Sequence, residues 1–282
     1  MQRLFIGLIL ISVGLSSQAQ HKPDTIIYHV TTIDGNEFNG IKVSQSEEYV
    51  LLETQNIGQV RLPKSQIASM NPVKGRNIKS GEVWPDHFQA TRYFISGSAY
   101  TMKKGEAMYQ NTWIFYNHFS AGLTDHFSIG LGFIPSFLFG SIAIPYWITP
   151  KFSIPVSRDK LNFGGGAFLG SVTGGGEMAS FLYGNTTIGT KDTNLTFGLG
   201  YGRFDGEWSR TPLMMVGGSF RTSRHFYLLT ENYFILGEGI FFLGGRRIIR
   251  RTSLDFGLMI PGGVGQFIGI PWLAIIVPLH KG

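Results

Sequence analysis

From residue 125 onward the chain repeats one pattern: a polar turn, then large apolar residues alternating with small ones. Asp125-His126 leads into Phe127, Ile129, Leu131 and Phe133, with Ser128, Gly130 and Gly132 between them. Thr193-Asn194 leads into Leu195, Phe197, Leu199 and Tyr201, with Thr196, Gly198, Gly200 and Gly202 between. Asp159-Lys160 opens Leu161 and Phe163 around Asn162, and Thr252-Ser253 opens Leu254, Phe256 and Leu258 around Asp255 and Gly257. Side chains of a strand alternate between its two faces, so period two gathers the bulky groups on one face. The other face is glycine, hydroxyl and amide, too small to fill the core of a soluble sandwich. Apolar outside and small-polar inside is the arrangement that lipid demands of a β-barrel. Closure is then obligatory, because an open edge in hydrocarbon leaves N–H and C=O groups unpaired.

Composition agrees. Gly is 38 of 282 residues, aromatics are 14%, and charged residues are 15% against about 25% in an average soluble domain. The glycines have no three-residue period, which excludes collagen, and the aromatics exclude disorder. The absence of Cys excludes disulfides, thiolate zinc sites, a Cys nucleophile and a lipidated N-terminal Cys. Residues 1–19 read as an export signal: Arg3, the apolar run Leu4 to Leu15, then Ser17-Gln18-Ala19 with small-x-small spacing. That run is shorter than the roughly 20 residues a spanning helix needs. Removing Arg3 leaves 23 basic against 18 acidic residues, about +5. The basic residues are scattered and no nucleic-acid module surrounds them, so no DNA or RNA partner is expected.

Residues 20–70 read as a small β domain. Ile26–Ile33 ends at the hairpin pair Asp34-Gly35. Glu37–Val43 follows, with Gly40 as the expected bulge or bend, then Tyr49–Thr54, Gly58–Leu62 and Ile67–Met70. Five short strands in so few residues suggest an SH3-like or Sm-like barrel, and Asp34-Gly35-x-x-Phe38-x-Gly40 is similar to the first strands of such barrels. Residues 71–89 read as a linker, in which Trp84-Pro85 suits a membrane interface.

Residues 90–282 are expected to be the barrel. Tight polar turns fall near Thr124–Asp125, Ser157–Lys160, Lys191–Asn194, Thr222–Arg224 and Arg251–Ser253. Looser connections fall at Lys103–Glu106, Pro135–Gly140, Thr173–Glu177, Asp205–Thr211, Gly237–Gly239 and Gly262–Gln266. Eleven alternating connections give twelve antiparallel strands. Ten is the alternative, because Ile142–Val156 carries Pro145, Pro150 and Pro155, and Pro271 raises the same difficulty in the last strand. An even count puts both ends of the barrel on one side, the tight-turn side, which in such barrels is periplasmic.

With its signal peptide, small β domain and the run Thr193-Asn194-Leu195-Thr196-Phe197-Gly198-Leu199-Gly200-Tyr201-Gly202, the chain resembles uncharacterised outer-membrane β-barrel proteins of Gram-negative bacteria. The resemblance implies a cell outer membrane location with a periplasmic N-terminal domain. The chain departs from that pattern at its end, Leu279-His280-Lys281-Gly282, where such barrels often finish on an aromatic residue.

His118-Phe119-Ser120 is the one arrangement that suggests an enzyme. Two residues apart on a strand, imidazole and hydroxyl share a face, and His-x-Ser is similar to the catalytic pair of outer-membrane phospholipases and lipid A deacylases. Against it, residues 127–142 contain no Asn or Glu to complete a triad, and the strand's bulky face leaves the pair in the lumen. In Arg246-Arg247-Ile248-Ile249-Arg250-Arg251, inward arginines are expected to pair with Asp255 or Glu231 and outward ones to reach lipid phosphates; a luminal ring selecting anions is the sharper possibility. The luminal charges expected are Arg92, Arg221, Glu231, Arg247 and Asp255. Tyr109, Trp113, Tyr116, Tyr146, Trp147, Tyr201, Trp208 and Trp272 are candidates for interfacial belts. No metal-ligand spacing and no phosphate-cradling loop is present, so no metal or cofactor is expected. The function expected is a non-enzymatic structural or pore-related, porin-like barrel in contact with outer-membrane lipid. The alternatives are a lipid hydrolase using His118 and Ser120, and an anchored module binding a periplasmic protein or the cell wall through residues 25–70.

Overall fold

The computed structural model describes residues 26–54, 57–73, 78–79, 82–84, 89–140, 142–157, 160–176, 178–249, 252–263 and 269–279. The expected signal peptide, Arg250 and Arg251 lie outside the described residues. The chain divides into two compact units, Met1–Trp84 and Pro85–Gly282.

The first unit is an antiparallel sheet of β1 (Ile27–Thr32), β2 (Glu37–Gln45), β3 (Tyr49–Thr54), β4 (Gly58–Pro63) and β5 (Ile67–Val73), in the order β4-β3-β2-β1-β5. Alternation places Val30, Val50, Leu52 and Leu62 on one face, where they form the core against Tyr28, Phe38 and Ile67. The Asp34-Gly35 turn closes β1–β2, with Gly35 at φ +87°. The Thr32 hydroxyl donates to the Asp34 carboxylate and holds it below the usual carboxylate range. Gly40 is not the bulge: it pairs regularly with Thr54, and the register shifts between Lys42 and Ser44. What Gly40 provides is closeness, since a Cβ there would sit 2.6 Å from the Glu53 carbonyl oxygen.

The second unit is a closed antiparallel barrel of twelve strands. They are β6 (Ala107–Thr112), β7 (Tyr116–Gly122), β8 (Phe127–Phe133), β9 (Pro145–Ser157), β10 (Leu161–Val172), β11 (Ala179–Gly189), β12 (Thr193–Phe204), β13 (Leu213–Ser223), β14 (Phe226–Ile235), β15 (Glu238–Ile249), β16 (Thr252–Pro261) and β17 (Ile270–Pro278). Neighbours in sequence pair with one another, and β17 closes the ring on β6. The alternation holds all round. Leu131, Phe152, Leu199, Phe220, Leu243 and Leu273 are exposed on the outer face, while Ser128, Thr187, Thr196, Glu231 and Asp255 are buried inside.

The strand number agrees with the turn count, but one strand is assigned differently. Residues 90–102 form no strand, and the turn at Lys103–Glu106 joins no two strands. The stretch around Trp113 is instead a hairpin: Asn111 pairs with Asn117 and Thr112 with Tyr116. The physical reason is in the faces. Ala90, Arg92, Phe94, Ser96 and Ser98 alternate with Thr91, Tyr93, Ile95, Gly97 and Ala99, so neither face is uniformly apolar and neither matches the outer face of the wall strands. The hairpin tip carries no turn residue. Trp113 and Ile114 both adopt positive φ (51° and 72°), the conformation that usually selects Asn or Gly.

Prolines are accommodated locally. The β9–β10 register shifts between Pro155 and Ser157, and Thr149 and Pro150 have no Cα partner in β10. Pro271 lies beyond the reach of β6, which pairs only with residues 274–278 of β17, so its missing N–H breaks no bond at that edge.

Ile114 is 88% exposed, and a left-handed conformation costs a β-branched residue about 1–2 kcal/mol. Ile114→Gly is therefore expected to stabilise the barrel by about 1 kcal/mol. The measurement is the temperature at which the folded form loses its faster mobility on unheated gels.

Candidate functional site

Residues 89–102 fold into the lumen, and the buried charges of the wall hold them there. Glu231, fully buried on β14, accepts the backbone N–H groups of Phe94 (2.6 Å), Ile95 (2.9 Å) and Ser96 (2.6 Å), together with the hydroxyls of Ser96 (2.8 Å) and Tyr233. Three successive N–H groups around one carboxylate form an anion nest. Arg246 on β15 pairs with its cross-strand neighbour Asp255 on β16, Nε to Oδ1 at 2.7 Å and Nη2 to Oδ2 at 2.8 Å. Its remaining donors reach the carbonyls of Gln89 (2.9 Å), Arg92 (3.1 Å) and Tyr93 (3.0 Å). One guanidinium thus satisfies a buried carboxylate and three plug carbonyls at once, the fork geometry that suits Arg over Lys.

Side chains complete the docking. Tyr93 donates to Asn194 Oδ1 at 2.6 Å, and Tyr100 donates to the Gly189 carbonyl at 2.6 Å. Asn185 donates to the Gly97 carbonyl, and the Thr187 hydroxyl accepts from the Ala99 N–H. Phe94 packs against Phe242 (ring centroids 5.6 Å) and edge-on to Trp272 (5.9 Å), within a luminal cluster that includes Tyr93, Tyr227, Leu229 and Ile248.

The expected luminal charges are placed as follows. Arg92 belongs to the plug and donates to Gln110 on β6 at 2.8 Å. Glu231 and Asp255 are the plug's anchors. Arg221 is buried near the tight-turn end, where it pairs with Asp192 at 3.0 Å and donates to the Arg224 carbonyl. Arg247 is corrected: it is exposed on the outer face, and Arg246 is the inward arginine. Alternation alone shows that the two differ in face, and Asp255 opposite Arg246 is the signal that fixes the phase. Lys151, missed in the sequence, also faces the lumen and donates to the Thr91 carbonyl at 2.8 Å.

Three belt candidates are corrected too. Trp147 and Trp272 are buried inside the ring, and Tyr116 stacks on Trp147 at 4.4 Å in the lumen. Tyr146, Tyr201 and Trp208 are on the exposed face. Glycine makes the inward indole possible: a Cβ on Gly132, directly across from Trp147, would lie 2.1 Å from its ring.

His118 and Ser120 do share the luminal face. No hydrogen bond joins them among the described residues. Trp147 Nε1 donates to His118 Nδ1 at 3.0 Å, and Thr149 Oγ1 is 3.5 Å from Nε2. An indole N–H only donates, so Nδ1 accepts and the imidazole proton sits on Nε2.

Within the lumen a cavity of about 440 Å³ adjoins the plug. Its floor is Arg92, Ser96 and Gly97 of the plug, with Lys151 and Asn185 of the wall; Phe168, Phe181, Met215, Phe242 and Met259 also line it. The described residues contain no cluster of three or more His, Asp or Glu suited to a metal.

Asp255→Ala leaves Arg246 buried without its carboxylate, and breaking such a pair costs about 3–5 kcal/mol. The variant is expected to lose its folded gel mobility at a lower temperature and to be cut within residues 89–102 by a protease that spares the parent protein. No protein-family model matches the sequence, and no curated protein matches it.

Proposed function

We propose that the protein is an outer-membrane β-barrel, non-enzymatic, whose pore is kept closed by its own residues 89–102. The observation that carries this reading is the pairing of a bulky apolar outer face with a polar lumen that the plug fills and satisfies. An apolar surface of that extent on a water-soluble monomer would be a large unpaired patch, whereas in hydrocarbon it needs no partner. Most strands are long enough to span, since β9–β17 run to 9–13 residues against the ~9–11 of a tilted membrane strand. No helix among the described residues is long and apolar enough to cross a membrane.

Turn parity supports the orientation. All five connections at one end are short, and the chain leading into β6 and out of β17 shares that end, whereas four of the six at the other end are longer, β6–β7 and β14–β15 being the short exceptions; this reading makes the first end periplasmic. A tag at Gly175 is then reachable from outside intact cells and one at Asp159 is not; the reverse pattern would invert the barrel. For the first unit, the order β4-β3-β2-β1-β5 and the 3₁₀ turn Lys64–Gln66 before β5 support an SH3-like periplasmic module.

A hydrolase needs a base with a free lone pair facing its nucleophile. The Trp147 bond occupies that lone pair on His118, which speaks for the non-enzymatic reading. Mixed micelles of phospholipid or lipopolysaccharide with calcium are expected to release no fatty acid, and release abolished by Ser120→Ala would reinstate the enzyme. The closed pore is tested in planar bilayers. The parent protein is expected to be nearly silent, and Glu231→Ala, which removes the nest's anion, to conduct. Large steady conductance by the parent would overturn the closed-lumen reading.

A further inference from the structure

We infer that the luminal cavity is a binding site for a single-chain amphiphile with an anionic head, a fatty carboxylate, which reaches it from the bilayer over a low stretch of the barrel wall. Three independent features carry this.

The first is charge. Arg246 is neutralised by Asp255, Arg221 by Asp192, and both oxygens of Glu231 are taken by the plug. Arg92 and Lys151 are left. Both line the cavity, both are half-buried, and neither has an ion-pair partner among the described residues. Each donates only to a neutral oxygen, Gln110 Oε1 and the Thr91 carbonyl, and has N–H donors to spare. Charges held away from water are costly unless paired, so two cations on one cavity floor call for an anion between them.

The second is shape and polarity. The volume lies within the range of small-ligand pockets. The two cations sit at the plug, whereas Phe168, Phe181, Met215, Phe242 and Met259 add uncharged rings and thioethers to the lining. Tyr116 and Phe168, both lining the cavity, stack on the two sides of Trp147 with centroid spacings of 4.4 and 6.0 Å. A ligand charged at one end and apolar along its length matches that division; a sugar or an inorganic anion does not.

The third is the wall. β6, β7 and β8 have only 6, 7 and 7 residues, against 9–13 in the other barrel strands. β6 stops at Thr112, opposite Ala274, while β17 begins four residues earlier at Ile270. The tip of the short hairpin, Trp113-Ile114-Phe115, is apolar, as suits a turn lying at the depth of the acyl chains rather than in water. Trp113 folds along the bare edge of β17, donating its backbone N–H to the Leu273 carbonyl and its indole N–H to the Pro271 carbonyl at 2.7 Å. Tyr116, His118, Ser120 and Gly130, just inside this low wall, line the cavity. The short strands thus bring the lipid phase to its side.

The inference rests on the closed-lumen reading in one respect, that the plug forms the floor, and bilayer conductance tests that separately. The binding test uses the purified protein in a neutral maltoside detergent, with tryptophan quenching by 9,10-dibromostearate as the readout and the matching dibrominated alcohol as control. Trp147 packs between Tyr116 and Phe168 and Trp272 packs on Phe242, all three lining the cavity, so a bromine inside it lies within quenching reach of both indoles. Saturable quenching by the carboxylate, at least about tenfold tighter than by the alcohol, is expected from charge-assisted bonds to two cations. Arg92→Gln combined with Lys151→Gln is expected to abolish that preference. Gly198→Leu fills the cavity without touching either cation, since a Cβ there meets only ordinary contacts at 3.5 Å and beyond; it should abolish quenching by both probes. Each variant is compared only after it retains folded gel mobility. Equal affinity for alcohol and carboxylate in the parent, or quenching by carboxylate unchanged in Gly198→Leu, overturns the inference even if the barrel is closed to ions.

Discussion

With the outer face of the barrel given over to apolar side chains, Glu231 and Asp255 point inward and must be satisfied by groups within the lumen. Everything else about the interior depends on that constraint. Arg246 meets Asp255, and because a guanidinium carries more donors than one carboxylate can accept, the surplus reaches the plug carbonyls. Among the described residues no cation pairs with Glu231; three consecutive plug amides satisfy it instead. A buried ion pair is by itself weak evidence of stability. Here the charges specify position: they fix which part of an otherwise irregular segment lies against which strands.

The same constraint separates this interior from an open pore. Water would satisfy the luminal groups of a wide channel one by one, with no need of a second chain segment. In this ring the satisfying groups are supplied covalently, from residues just upstream of the first strand. The aromatic cluster around Phe94, Phe242 and Trp272 then makes the plug's contact with the wall apolar as well as polar, so the segment is packed and not merely tethered.

Most of the wall was legible in the sequence because two-residue alternation is a local property. The runs at Phe127, Leu161, Leu195 and Leu254 each announce their outer face without reference to any neighbour. What was not legible is non-local. Residues 90–102 alternate without a consistent face, and only the presence of Glu231 and Arg246 far along the chain explains where they go. The Trp113-Ile114 hairpin has no turn chemistry, because the bare edge of β17 holds it in place and the loop residues do not. Arg247 was read as luminal from its neighbourhood, one residue out of phase; the cross-strand partner Asp255 decides for Arg246. Alternation places His118 and Ser120 on the luminal face, but their roles turn on Trp147, 29 residues from His118 and reached across Gly132 of the intervening strand.

The seam between first and last strands joins five residue pairs, whereas β15 and β16 share ten. The plug leads directly into that seam, and its anchors belong to β14, β15 and β16. The charged docks for residues 89–102 are therefore incomplete until the C-terminal third of the chain is in place. A cylinder that fastened early and tightly would shut its own cork outside. A weak final clasp is the condition under which a closed ring comes to contain a piece of itself.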